Sequence, residues 1–380
     1  MSKRKVVVGL SGGVDSGVAA ALLVKQGYEV TGVHLHLWCE NQNIRNKGYK
    51  VEAEEAARRT ALQLGIPFRV FNLADFFKDK IVDYFLKSYG DGLTPNPCVR
   101  CNRLIKFGAL YDRIRAMGYD FLATGHYCRI VAEVPKSRSK VPNKKVFHLL
   151  AGVDKNKDQS YFLYNLTQAQ LGHLLFPLGE LMKTEVRKMA RELKLPVAER
   201  PESQEICFLA EKDYRPFLER NIAGRIIPGE VVDGQGKVIG RHRGLPLYTI
   251  GQRHGFELRS KIKNQRSKII PPYYVVRKDI ARNRLVVGFG AETEIKEFRI
   301  KNQNWINPEA ELRIMNHELW VKIRHGGEIL KIKDQKSNIK KKEVVILLEE
   351  AQRGISPGQS AVFYRKRQDW EVVGGGIIAV

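Results

Sequence analysis

The chain has 380 residues, room for two or three domains, and 43% of them are hydrophobic, which excludes a disordered protein. Lysine and arginine outnumber aspartate and glutamate by 24, so a polyanionic partner is expected, nucleic acid before an anionic membrane surface. No run is long and apolar enough to span a bilayer and no signal-peptide cleavage pattern follows the basic start, so a cytoplasmic protein with no membrane partner is expected.

Residues 5–10 read as a buried strand that runs into Ser11-Gly12-Gly13-Val14-Asp15-Ser16, with a helix over 16–26 closed by Gly27. Two glycines let the backbone turn with its N–H groups inward, and the positive end of the helix faces the same pocket, which suits phosphate. No Gly-Lys-Ser/Thr follows, so this is not a Walker loop. It is similar to the pyrophosphate loop of enzymes that split ATP between the α- and β-phosphates.

A strand at 30–37 follows, then a helix at 51–64 with Glu52, Glu54 and Glu55 in its first turn, a strand at 68–72, a helix near 75–87, a helix from 97 to 117 and a short strand at 121–124. This alternation predicts an α/β domain with a doubly wound parallel sheet, its ligand site at the carboxyl ends of the strands, where Ser11, Leu35 and Gly125 would cluster. A hairpin is expected over 129–150, with a basic tip at Lys136, Arg138, Lys140, Lys144 and Lys145, and a helix over 183–193. Beyond about residue 202 short strands and glycines dominate: 229–232, 238–240, 273–276, 285–288, 319–324, 344–348, 359–364 and 372–377. A small β-rich central domain and a C-terminal β-barrel are predicted, with boundaries at 1–202, 203–278 and 279–380. Basic segments at 259–268 and 331–342 interrupt the strands and, with the hairpin tip, favour RNA.

Five cysteines, Cys39, Cys98, Cys101, Cys128 and Cys207, are too sparse for a disulfide scaffold. In Thr94-Pro95-Asn96-Pro97-Cys98-Val99-Arg100-Cys101-Asn102, Asn96 is an N-cap and Pro97 the first helical position. Cys98 and Cys101 then lie one turn apart, and the helix end with Arg100 and Arg103 is expected to favour their thiolates, Cys98 more than Cys101. A zinc half-site, a dithiol redox pair and a nucleophile paired with a distant thiol remain open, with Cys207, in Ile206-Cys207-Phe208, as the obvious distant partner.

The pyrophosphate loop, the segment at 94–102, Thr124-Gly125-His126-Tyr127, residues 157–163, Ile206-Cys207-Phe208, residues 248–253 and residues 356–364 together resemble the tRNA-specific 2-thiouridylase family, members of the PP-loop ATP pyrophosphatase superfamily with an adenine nucleotide alpha hydrolase-like domain. The resemblance covers nearly the whole chain. It implies ATP-dependent adenylation of the C2 oxygen of the wobble uridine in tRNA, then sulfur transfer from a persulfide, releasing AMP and pyrophosphate. Carried over by position, Gly9, Leu10, Ser11, Gly12, Gly13, Val14, Asp15 and Ser16 would bind ATP, Asp15 would help hold Mg2+, and Leu35 and Gly125 would line the adenine pocket. Asn96, Pro97 and Cys98 would approach the target base, Cys101 would be the nucleophile and Cys207 the persulfide carrier. Lys157, Asp158, Gln159, Arg324 and His325 would contact the tRNA anticodon stem-loop, with His126 and Gln359 as further contacts. The partners implied are tRNA and a sulfur-donor or relay protein, with a monomer as the default state.

One position departs from the family pattern: many members carry aspartate where this chain has Cys98. Three thiols, Cys98, Cys101 and Cys207, would suit an iron–sulfur cluster as an alternative to the persulfide route. Two rivals remain: an adenylating synthetase acting on a small substrate, and a non-catalytic RNA-binding protein.

Overall fold

The computed structural model describes residues 3–40, 45–134, 145–201, 206–209, 211–258, 272–306, 318–338 and 343–379. The basic tip residues Lys136, Arg138, Lys140 and Lys144, the segment 259–268 and the polar run 202–205 lie outside them. Among the described residues three sheets are present.

The first sheet is parallel and ordered β3 (Phe68–Asn72), β2 (Glu29–His36), β1 (Lys5–Gly9), β4 (Phe121–Ala123), β7 (Leu174–Leu175). The valines of β1 are almost wholly buried, as expected of a central strand covered on both faces. The strand order switches between β1 and β4, and in a parallel sheet of this kind the carboxyl ends at the switch point are where a ligand is expected. Helix α1 (Val14–Lys25) leaves β1 through the glycine turn, starting two residues earlier than expected. Helix α2 spans Arg45–Gln63, so Glu52, Glu54 and Glu55 sit in its middle rather than its first turn. There Glu54 and Glu55 pair with Arg58 and Arg59 one turn on, at 3.1 and 2.8 Å, so the acidic run marks a wet helix face and not a helix start.

Two long helical runs follow, α3 over 74–90 and α4 over 97–116. Each is interrupted by a π segment, Lys78–Val82 in α3 and Asn102–Leu110 in α4. The second begins directly after Cys101, where wider turns re-aim the side chains that follow. Helices α5 (Lys183–Glu192) and α6 (Arg215–Asn221) complete the elements that matter for the site.

The second sheet has the order β10 (Glu257–Leu258), β9 (Val238–His242), β8 (Gly229–Val232), β12 (Arg284–Gly288), β11 (Tyr274–Asp279). The third holds a closed antiparallel barrel of six strands: β13 (Glu294–Trp305), β16 (Glu343–Arg353), β15 (Leu330–Asn338), β14 (Trp320–Lys322), β17 (Ser360–Lys366) and β18 (Trp370–Ala379), with β13 also paired to β18. The α/β sheet, β-rich centre and C-terminal barrel match the architecture read from the sequence. Two strands do not. Strand β13 was not anticipated, and β15 occupies most of the segment read as a basic loop. Both alternate: Phe298 and Ile300 in β13 and Ile332 in β15 point into the barrel, while Lys331 pairs outside with Glu318 and Glu349. A basic run that opens with apolar residues at alternate positions, here Leu330 and Ile332, can form a strand with one wet face.

The expected hairpin, β5 (Cys128–Glu133) and β6 (Val146–Ala151), joins the barrel and not the first sheet, with Leu149 opposite Val372 and Leu150 opposite Glu371. Glu371 is the stitch. It is buried, accepts from His148 Nδ1 at 2.7 Å and from Arg365 Nη2 at 2.7 Å, and lies 3.0 Å from Arg367 Nε. Burial pushes this carboxyl up, but His148 and Arg365 outweigh it and hold it below the usual range.

Glu371→Ala takes the acceptor from the buried His148 Nδ1 and from the half-buried Arg365 guanidinium and is expected to cost about 3 kcal/mol. The lowered carboxyl makes this contribution complete above the ordinary glutamate range, with loss as pH falls through the folded value. Denaturant unfolding of parent and variant at pH 7 and pH 4 checks both: the gap between them narrows at the lower pH.

Candidate active site

The glycine turn is shaped by two close approaches. Gly12 has φ +77°, and a Cβ there would stand 2.2 Å from Ala53 O. A Cβ on Gly125 would stand 2.8 Å from the Asp15 carbonyl carbon and 3.0 Å from Ser16 N. Gly125 therefore presses on the loop at the start of α1. Ser16 Oγ donates to Gly13 O at 3.0 Å and accepts from Ser11 N at 3.2 Å, locking the turn. Helix α1 has no side-chain cap, which leaves its leading N–H groups to an anion, so the residues fit a pyrophosphate. Gly9 ends β1, Leu10 O is met by His34 Nδ1 at 2.8 Å, and Leu35, near the end of β2, is half-buried.

Asp15 Oδ1 accepts from Tyr127 OH at 2.8 Å and from Lys183 Nζ at 2.6 Å. Both bonds fall on one oxygen, so the carboxylate fits a divalent cation through Oδ2. Lys183, at the start of α5, was missed from the sequence. A signal existed: a lysine in a first helical turn opposes the helix dipole and needs another reason to be there. Arg200 was missed too; its Nη1 donates to Gly12 O at 3.0 Å and to Glu52 O at 3.2 Å.

The thiols come together from two places. Asn96 caps α4 through Val99 N at 3.2 Å with Pro97 buried behind it, which puts Cys98 in the first turn and Cys101 at its end. Cys207 arrives beside Phe208, whose buried ring lies 5.9, 5.3 and 5.7 Å from Phe77, Phe85 and Phe217. Cys101 and Phe208 belong to one hydrophobic cluster. Charge on either helix thiol is felt by Cys207: its nearness raises both Cys98 and Cys101. Cys98 and Cys207 are exposed, Cys101 is buried, and no disulfide joins them. Cys39 is half-buried and Cys128 is buried.

The expectation of activated thiolates is corrected. The protein around the recess pushes the Cys98 thiol up to about 11, and full burial pushes Cys101 up to about 12. Arg100 does not help, because its Nε donates to Lys80 O at 2.6 Å and its guanidinium lies 4.2 Å from the Tyr84 ring. The cation that lowers both thiols is Lys106, in the π segment. Sequence spacing on an ordinary helix gave no sign of it. The ranking of Cys98 below Cys101 agrees with position along the helix. Among the described residues no three His, Cys, Asp or Glu side chains stand close enough to hold a metal ion, so the arrangement does not fit an iron–sulfur cluster.

The residues expected at tRNA divide in two. Arg324 and His325 are exposed on the barrel, with the His325 ring 4.4 Å from Phe162. Gln359 Nε2 donates to Thr94 O at 3.2 Å, bracing the turn before Cys98, and Tyr161 OH, which meets the Asn96 side chain, donates to Ser360 O at 2.8 Å. Lys157 is half-buried, and Gln159 Oε1 accepts from Tyr127 N at 3.1 Å. Asp158 and His126 do not face solvent. Asp158 is buried and accepts from Gly152 N, Ser160 N and Ser160 Oγ, so it shapes a turn. His126 is buried beside Phe107 and Phe176, bonded to Thr124 Oγ1 at 2.7 Å, and burial pushes its pKa down, keeping it neutral. Both are corrected from RNA contacts to structural groups. No helix among the described residues is long and apolar enough to cross a membrane.

Three family models match in sequence: a tRNA methyl transferase HUP domain over 4–211, a tRNA methyl transferase PRC-barrel domain over 215–289 and an aminomethyltransferase beta-barrel domain over 295–378. A tRNA-specific 2-thiouridylase MnmA of Chloroflexus aurantiacus is 45% identical over 98% of both chains. Those of Roseiflexus castenholzii and Carboxydothermus hydrogenoformans are each 41% identical, over 99% of both chains and over 100% of this chain and 98% of the relative. The chain belongs to the tRNA-specific 2-thiouridylase family. Among solved structures, a 4-thiouridine synthetase–RNA complex with bound ATP is similar at 15% identity over 58% of this chain and 51% of its own, with a TM-score of 0.33.

Alkylation of Cys98 by iodoacetamide is expected to quicken about tenfold per pH unit up to about pH 10 without a plateau, since only the thiolate reacts. Lys106→Met raises the thiol pKa further and slows alkylation at every pH in that range. Mass-spectrometric rates of Cys98 labelling check this, and a plateau near neutrality would contradict it.

Proposed function

We propose that the protein is a tRNA 2-thiouridylase that adenylates the C2 oxygen of the wobble uridine with ATP and replaces that oxygen with sulfur delivered from a Cys207 persulfide. The observation that carries this reading is the approach of Cys207 to Cys101, from a separate stretch of chain, in a molecule that also holds an open pyrophosphate loop. Family membership and the relatives' names support it. A small-substrate synthetase accounts for the loop but not for the paired thiols, the barrel or the basic surplus.

The C2 oxygen of uridine is a poor leaving group, and transfer of AMP onto it makes a good one. Ser11, Gly12, Gly13 and the start of α1 cradle the departing pyrophosphate, and Lys183 is placed to exchange Asp15 for a phosphate oxygen. Mg2+, held by Asp15 and the phosphates, would offset the charge that builds on the pyrophosphate. Leu35 lines the adenine side.

Sulfur comes from a donor protein as a Cys207 persulfide. In one route Cys101 thiolate attacks the Cys207 sulfur, a Cys101–Cys207 disulfide forms, and hydrosulfide leaves to attack C2 and expel AMP. In the other the terminal persulfide sulfur attacks C2 directly and expels AMP, and Cys101 thiolate then attacks the Cys207 sulfur, releasing the thiolated uridine and leaving the same disulfide. Either way two electrons from an external thiol reductant restore the enzyme. Burial suits Cys101, because a thiol held protonated until sulfur and base are both in place wastes none of the activated tRNA. Asn96, Pro97 and Cys98 form the wall that meets the unstacked base, Arg324, His325 and Lys157 track phosphate, and Gln159 and Gln359 hold the segments beneath. The same reading carries a cytoplasmic location, with a monomer as the default state.

Cys101→Ser or Cys207→Ser is expected to abolish 2-thiouridine in tRNA hydrolysates, read by mass spectrometry, while tRNA binding persists. Lys183→Gln and Asp15→Asn are expected to slow tRNA-dependent ATP–pyrophosphate exchange by roughly 100-fold or more. Exchange that runs equally well on a small acid without tRNA would overturn the assignment.

A further inference from the structure

We infer that Arg220 is a positioning residue for sulfur transfer, joining the exit of the nucleotide strand to the segment that carries Cys207. The inference rests on the reading above for its chemistry but not for its geometry. Arg220 lies in α6 and uses both edges of its guanidinium. Nε and Nη2 donate to Glu40 Oε1 and Oε2 at 2.9 and 2.7 Å. Nη1 donates to Glu211 Oε1 and Oε2 at 3.2 and 3.4 Å, and Nη2 to Glu211 Oε2 at 3.4 Å.

The two carboxylates belong to the two halves of the site. Glu40 follows β2 by four residues and its side chain is only 9% exposed, with Asn221 Nδ2 donating to it at 3.1 Å. Glu211 follows Cys207 by four residues and is 47% exposed. The same helix also grips both segments through Phe217, whose ring lies 6.4 Å from Trp38 and 5.7 Å from Phe208. The aromatic contacts set where Cys207 is, and the shared guanidinium fixes its segment against the nucleotide strand. A lysine can touch two carboxylates, but as a point charge it lacks the planar fork that holds each of them along its own edge.

Glu211→Gln is the informative variant, because it loosens the Cys207 side alone and leaves the buried Glu40 paired. Arg220→Lys is the second, keeping a cation near Glu40. The full-length enzyme is equilibrated in glutathione buffers, where two protein thiols and one oxidised glutathione give the Cys101–Cys207 disulfide and two reduced glutathiones. Peptide mass spectrometry then gives the effective concentration of one thiol at the other. Both variants are expected to lower it about tenfold, while tRNA-dependent ATP–pyrophosphate exchange stays within about twofold of the parent. An unchanged disulfide equilibrium in both variants overturns the inference, as does an exchange rate that falls in parallel, which marks general loss of structure. Absent exchange in the parent defeats the functional reading instead, and the disulfide equilibrium still decides the role of Arg220.

Discussion

The burial of one phenylalanine, Phe208, is the contact on which the chemistry depends. A ring of this size gains about 2–3 kcal/mol on leaving water, and each well-placed aromatic neighbour adds roughly 0.5–1.5 kcal/mol. Phe77 and Phe85 come from α3, Phe217 from α6, and Phe208 fills the space between them. The adjoining thiol is thereby carried to α4, although the described residues 206–209 belong to no helix or strand. Cys207 can be exposed and still be placed, because its neighbour in sequence is anchored.

Each of the three architectural parts supplies a piece of the candidate site. The parallel sheet delivers the glycine turn and Asp15. The barrel delivers Gln359 and Ser360 to the strap before Cys98, while Thr94 N donates to Pro357 O at 2.8 Å. The hairpin from the first half of the chain is sewn to the barrel by Glu371, so the strap and the barrel cannot drift apart independently. The central β-rich part holds α6 against the aromatic cluster.

Electrostatics separates the two chemical tasks. At the nucleotide end, Lys183 and Tyr127 hold Asp15 ready in a polar niche that gains from charge. At the thiol end, burial keeps Cys101 protonated, and among the described residues Lys106 works against it. Reactivity there is set by what enters the recess more than by the resting protein.

The sequence by itself determined the elements that obey local rules. The glycine turn, the Asn96–Pro97 cap and the alternating α/β pattern each depend on residues adjacent in the chain, so spacing was enough to read them. The same logic failed where a local pattern is ambiguous: the acidic run at 52–55 suits a helix start or a wet face, and the lysine-rich stretch at 331–338 suits a loop or a one-sided strand. Tertiary structure alone decided the rest. Lys183 and Arg200 reach the loop from far along the chain, Lys106 joins the thiols through a π segment that composition does not announce, and Asp158 and His126 are turned inward by the packing around them. Thiol pKa is the clearest case: the helix end and nearby arginines are visible in sequence, but the desolvation that outweighs them exists only once distant segments close over the site.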